Sequence, residues 1–326
     1  MEMVTEFGQE QPDIRKILLS ILLVALAFVL PGLNWSLFSW MYLALPLLSF
    51  LILGRFGSHV GSKMLLTAVA IALAYHLLGG SMRLFVFAGA MLVPGYVLHR
   101  AATKGSSPAE SGLLACLALA AGWMIAGLAL VAGGEESMYR QLLGGLDQAL
   151  TEALTQYRAS GEIDAANMMV VETTISQMRN IIPAILPGAL GGMILIIVWT
   201  TMAIGKVFGQ RVTGFSPWPD FSLWALPEKF IWLVIIAALC IMVPWQPLPK
   251  IGINGILLLA VIYCFQGMSV TVFFMQKWRV PLLLRSFIYV MIIFQSFGTL
   301  VLLFLGIADI WLDFRKLRQP SAPLSP

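Results

Sequence analysis

From Ile17 to Gly54 the chain carries no charged side chain. A charge at the centre of a bilayer costs about 2.5–3.5 kcal/mol even on a lenient insertion scale, so uncharged apolar stretches mark where a chain crosses lipid. This stretch is too long for one crossing helix of roughly 20 residues. Pro31, Gly32 and Asn34 divide it into two spans joined by a tight turn. Further runs follow from Met64 to Gly79, Leu84 to Leu98, Ser111 to Ala132, Ile181 to Gly205, Phe230 to Val243, Ile251 to Met275 and Ser286 to Ile307. The expectation is an all-α integral membrane protein, a polytopic bundle of about nine hydrophobic segments making eight to nine crossings. Composition agrees: 59% of residues are hydrophobic, 11% are charged, and the mean hydropathy is +0.88. No water-soluble core of this size needs so much apolar surface. The runs Leu84 to Leu98 and Phe230 to Val243 are short for a full crossing, which points to tilting or a re-entrant path.

Basic residues set the orientation. Arg15 and Lys16, Arg55 and Lys63, Arg100 and Lys104, Lys206 and Arg211, and Lys277, Arg279 and Arg285 fall on alternate connections, which are expected to be cytoplasmic. The mixed-charge segment Met1 to Lys16 differs from the short basic start of a cleavable signal, so the first span is expected to stay. The opposite connections hold Arg83, Lys250 and the segment 133–180, in which seven acids outnumber three arginines. Nine crossings also place the carboxyl-terminal tail outside, although Arg315, Lys316 and Arg318 favour the inside; Phe230 to Val243 is the run most open to question. The resulting organisation is an amino-terminal bundle (1–132), an extracytoplasmic segment (133–180), a carboxyl-terminal bundle (181–308) with a cytoplasmic loop (215–227), and a polar tail (309–326).

Within 133–180, Leu143, Leu146, Leu150, Leu154 and Tyr157 recur at steps of three and four, as do Met168, Val171, Ile175, Met178 and Ile182 after a break at Ser160 and Gly161. This periodicity predicts an extramembrane helical hairpin lying on the membrane face or capping the bundle.

Several functional classes are excluded by what the pattern lacks. Cys116, Cys240 and Cys264 lie singly in apolar runs and read as core residues. His59, His76 and His99 are scattered, there is no HExxH, and Gly57 to Lys63 resembles a phosphate loop only in composition. Paired carboxylates at mid-span are missing too, so no catalytic residues, no metal site and no cofactor are expected, and the chain does not read as an enzyme. The net charge of +4 is explained by topology, so no nucleic-acid partner is inferred.

What remains is a small set of polar and conformational signals. His76, Gln266, Ser269 and Gln295 lie inside apolar runs, and Tyr263 stands one turn from Gln266. An unpaired amide in hydrocarbon costs several kcal/mol, so these groups need partners. Tyr263, Gln266, Gly267 and Val270 share one helical face, where Gly267 leaves room either for another helix or for a ligand. These six residues, Tyr263, Gln266, Gly267, Ser269, Gln295 and His76, are the candidate ligand-binding set. Pro183 and Pro187, followed by Gly188, Gly191 and Gly192, are expected to interrupt their span. Small residues four apart, such as Ala118, Gly122 and Ala126, are expected to let helices approach closely. The stretch from Phe215 to Pro227 is too rich in proline for a helix, and Trp218, Phe221 and Trp224 within it fit an interfacial anchor.

Pro46, Gly54-Arg55-Phe56-Gly57, Pro94-Gly95, the Trp218 to Pro227 stretch, Asn254, Gln266-Gly267, Gly306-Ile307-Ala308-Asp309 and Asp313-Phe314-Arg315-Lys316 occur in an order that resembles the YybS-like family of uncharacterised bacterial membrane proteins (domain of unknown function 2232). The resemblance covers nearly the whole chain and implies the bacterial cytoplasmic (inner) membrane. It further implies similarity to the substrate-binding S components of energy-coupling-factor transporters, hence a carrier of a small molecule.

Two functions stay open at this level. One is an S-component-like binding or transport protein, with the lipid bilayer and a small-molecule ligand as partners. The other is a membrane scaffold whose loop and tail recruit a membrane or cytoplasmic protein. A closed polar cavity favours the first; a solidly packed bundle with an exposed apolar patch favours the second.

Overall fold

Local chemistry sets several of the helix boundaries. Asp13 accepts the Arg15 N–H at the start of α1 (Ile14–Leu33), and Asn34 accepts the Leu37 N–H to open the short α2 (Trp35–Phe38). In α5 (Pro108–Ala132) Ser107 caps the Glu110 N–H, and Pro108 occupies the first turn, where its missing donor does no harm. The computed structural model describes residues 13–79, 81–160, 164–213 and 217–316, and among these every regular element is helical. The remaining helices are α3 (Met41–Leu78), α4 (Met82–Thr103), α6 (Met138–Ser160), α7 (Ala165–Thr213), α8 (Phe230–Met242), α9 (Leu248–Lys277), α10 (Leu282–Phe294) and α11 (Ser296–Leu312), with a 3-10 turn at Phe221–Leu223.

Among the described residues, six helices are long and apolar enough to cross a membrane, or seven if the bent pair α10 and α11 counts as one span. The difference from nine has three causes. Runs two and three are drawn together as α3, yet Gly57 inside it has φ 76° and ψ 165°, which no helix contains. A Cβ on Gly61 would lie 3.1 Å from Leu53 Cα, whereas eight residues of straight helix would separate the two by about 12 Å. The chain therefore folds back at Gly57, and α3 is two segments. The Phe230 to Val243 run forms only α8, 13 residues or about 20 Å, against a hydrocarbon core of about 30 Å. The run Ser286 to Ile307 is not one continuous helix: α10 and α11 meet at a bend of 100°. By contrast α4 extends beyond its apolar run to 22 residues, enough to cross.

The described residues fall into two compact units, those within 1–146 and 196–218, and those within 147–195 and 219–316. In the first, α1 packs on α3, α3 on α4, and α4 on α5. Glycine permits the closest approach: a Cβ on Gly95 would meet the Pro46 carbonyl oxygen at 2.1 Å. Gly122, expected at a small-residue contact, faces Ala90. In the second unit α9 is the central post, with α8 and α11 packed along it. From residue 147 onward the two expected helical arms lie antiparallel there, α6 and the start of α7 joined by Arg158 to Glu172, and by Arg179 to Asp147 and Thr151. Ile175 is buried, whereas Tyr157 and Met178, expected in the same stripes, are exposed. Residues 161–163, including the expected break at Gly161, lie outside the described residues, as does the start of the Pro/Trp loop at 214–216.

Candidate functional site

On α9 the periodicity puts Gln266 and Ser269 on the side that meets α11 and the loop, and both are fully buried. A buried primary amide has two donors and a carbonyl acceptor to satisfy. Gln266 Oε1 accepts the Leu226 N–H at 3.1 Å, and Nε2 donates to Asp309 Oδ2 at 2.6 Å. The same carboxylate oxygen accepts from Arg315 Nη2 at 2.7 Å. Arg315 Nη1 reaches three acceptors, the Ser222 carbonyl at 2.7 Å, the Trp224 carbonyl at 2.9 Å and Ser269 Oγ at 2.8 Å. Ser269 in turn offers its hydroxyl proton to the Phe221 carbonyl at 2.7 Å or the Trp224 carbonyl at 2.9 Å.

The result is a latch. Side chains from α9, from α11 and from the segment after it grip the main chain of Phe221 to Leu226, which has no strand or long helix to satisfy its own carbonyls. The Asp309–Arg315 pair is buried on both sides, with side chains 3% and 1% exposed. Burying two opposite charges is costly unless the remaining hydrogen bonds are made, and here the loop carbonyls and the Gln266 amide make most of them. Asp309 Oδ1 and Arg315 Nε have no partner among the described residues. The latch also sits deep: Gln266 precedes the end of α9 at Lys277 by eleven residues, about 16 Å of helix. Irregular backbone this far along a span-length helix requires protein partners of this kind.

Below the latch α9 and α11 cross on two reciprocal glycines. A Cβ on Gly267 would fall 1.9 Å from the Leu302 carbonyl oxygen, and one on Gly306 would fall 2.0 Å from that of Tyr263. The room left by Gly267 is thus taken by a helix. Tyr263 packs with Leu226, Ala237, Leu259 and Ile310, its hydroxyl buried without a partner among the described residues. Beside the latch lies an open groove of about 360 Å³ lined by Glu228, Lys229, Ile231, Trp232, Ile310 and Trp311.

The structure therefore gathers four of the six expected residues, Tyr263, Gln266, Gly267 and Ser269, in one place. Gln295 is not brought to this place: it sits exposed at the α10–α11 bend, where the chain leaves the helix. His76 belongs to the other unit, buried between Tyr75 and Phe85, with neither ring nitrogen partnered among the described residues. Trp218 is 5% exposed, its ring stacks on Phe50 at 5.7 Å and Nε1 donates to Ser111 Oγ at 3.3 Å, so its side chain is held by protein. Phe221 and Trp224 are half-buried, held by their carbonyls. The residues missed as site residues are Asp309 and Arg315. The available signal was an acid at the end of an apolar run, together with their places in the pattern of the resemblance; sequence shows both only as part of a polar tail, 309–326.

Among the described residues no group of three or more His, Cys, Asp or Glu side chains is placed to hold a metal ion. Apolar helices of crossing length, large exposed apolar side chains and a latched internal loop define a multi-pass helical membrane protein. The chain belongs to the family described as predicted membrane protein (DUF2232), whose model matches residues 18–310. No curated protein and no solved structure matches it.

Proposed function

We propose that this membrane protein acts as a scaffold, presenting a loop fixed by the Gln266–Asp309–Arg315–Ser269 latch to a protein partner. The observation that carries this reading is the direction of the hydrogen bonds. The polar groups of the α9 face that sequence marks for a ligand are turned onto the chain's own loop, and the glycine gap is filled by Leu302. The groove next to the latch supplies a surface: Trp232 and Trp311 are 62% and 70% exposed, and exposed tryptophans beside a fixed backbone are frequent anchors in protein interfaces.

A second reading is S-component-like binding or transport of a small solute in the bacterial inner membrane. It is supported by the unpartnered Asp309 Oδ1 and Arg315 Nε, since ionisable groups inside a membrane bundle commonly mark a solute or proton path. Photo-crosslinking amino acids placed at Trp232 and Trp311 in native membranes separate the two. The scaffold reading expects one protein adduct common to both positions, absent from Met124, an exposed residue of α5, and lost in Arg315→Ala. Lipid adducts alone, with a co-purified small molecule in the bundle, would establish the solute reading instead.

A further inference from the structure

Pro183 and Pro187 lie inside α7, yet the helix continues through both. Proline removes a backbone donor and crowds the carbonyl four residues earlier, so the hydrogen-bond ladder opens at such a point. The rung next to Pro187 links the Gly188 N–H to the Ala184 carbonyl. Asn254 of α9 occupies both ends of that rung: its Oδ1 accepts the Gly188 N–H, and its Nδ2 donates to the Ala184 carbonyl at 2.8 Å. The second hydrogen of Nδ2 goes to the Lys250 carbonyl at 2.7 Å, so the amide makes three bonds. Gly188 lacks a side chain where a Cβ would lie 2.6 Å from Asn254 Oδ1, which is what lets α9 come this close.

We infer that Asn254 is the lock of a hinge in α7, a side-chain amide bracing a backbone rung and fixing the angle between the hairpin arm before Pro183 and the helical turns from Gly188 to Leu195 that pack on Leu258 and Val261 of α9. The hairpin arm is held to α6 by exposed ion pairs, with Arg158 and Glu172 side chains 58% and 44% exposed. Exposed pairs contribute little rigidity, so the lock governs how the arm is carried. An apolar side chain at position 254 would remove both bonds that brace this turn, and the hinge is then free to swing. The inference is independent of the loop latch and of the function proposed for it, because Asn254 takes no part in either.

The test uses the full chain in lipid nanodiscs. Amide exchange is read at Gly188 and Gly192, and spin labels at Ser176→Cys and Ile251→Cys, in a background without native cysteines, report the distance across the hinge. Asn254→Leu is expected to speed exchange at Gly188 by about tenfold, leave Gly192 unchanged and broaden the distance distribution. Asn254→Ser, too short to reach either end, keeps the test available if the leucine variant does not fold, and is expected to give the same result. Unchanged exchange at Gly188 overturns the lock; faster exchange with an unchanged distance distribution overturns the hinge.

Discussion

Replacing Gln266 by leucine keeps the bulk but removes the partner of the Leu226 N–H and one of the two donors on Asp309 Oδ2. A buried group left without its partner costs about 1–3 kcal/mol, more than the roughly 0.6 kcal/mol average for a hydrogen bond between membrane helices. Gln266→Leu should therefore lower the melting temperature clearly; a normal melt with loss of a ligand-induced shift would support the solute reading. The glycines make a sharper contrast. Gly267→Ala and Gly306→Ala push a methyl into a carbonyl of the facing helix and should each destabilise by at least about 1–3 kcal/mol. Gly54→Ala, with nothing within 4 Å, should be neutral or gain about 0.5–1 kcal/mol, as thermal denaturation would record. At this scale the sequence was informative about need and silent about partners. A buried amide and a neighbouring glycine announce that something must come close, but a loop and a tail distant in sequence supply it. In sequence Arg315 is only one of three basic tail residues that favour the cytoplasmic side, because composition cannot show three carbonyl and hydroxyl acceptors converging on one guanidinium.

Elements were legible where apolar length alone decides. The first five runs all appear as helices, with the second and third parted at Gly57. Its φ of 76° with ψ of 165° belongs to a region that side chains avoid at a cost of about 1–3 kcal/mol. Gly57→Ala should lose that amount in thermal denaturation while Gly54→Ala, three residues away, does not; equal melts would mean that the fold-back does not depend on the glycine. What sequence did not reveal was the treatment of helix breakers. Pro183 and Pro187 predicted an interruption, but α7 runs through both, with Asn254 bonded to the Gly188 N–H and the Ala184 carbonyl beside them. Conversely, the bend between α10 and α11 carries only Gly298 as a signal, where a Cβ would lie 2.7 Å from Ile292 Cα, and a lone glycine in an apolar run was not enough to mark the break.

For the whole molecule, the latch ties together two segments that counting spans treated separately. Arg315 bonds the Ser222 and Trp224 carbonyls, so the end of the described chain lies with the Pro/Trp loop, and the basic residues Lys206 and Arg211 before the loop and Lys316 after the latch predict that both face the cytoplasm. An impermeant thiol reagent applied to intact cells should label Gln148→Cys in the hairpin and spare Lys316→Cys until lysis. Labelling of Lys316→Cys in intact cells would put the loop outside and reverse the topology. The most direct measurement of the central claim is amide hydrogen exchange across Phe221 to Leu226 in the full chain in nanodiscs, compared between the unmodified protein and Arg315→Ala. Removing one partner of a buried ion pair costs about 3–5 kcal/mol. A latched loop predicts slow exchange at the Leu226 amide that rises by at least about a hundredfold in Arg315→Ala. Exchange at the rate of a free loop in the unmodified protein, or no change on removing Arg315, would contradict it.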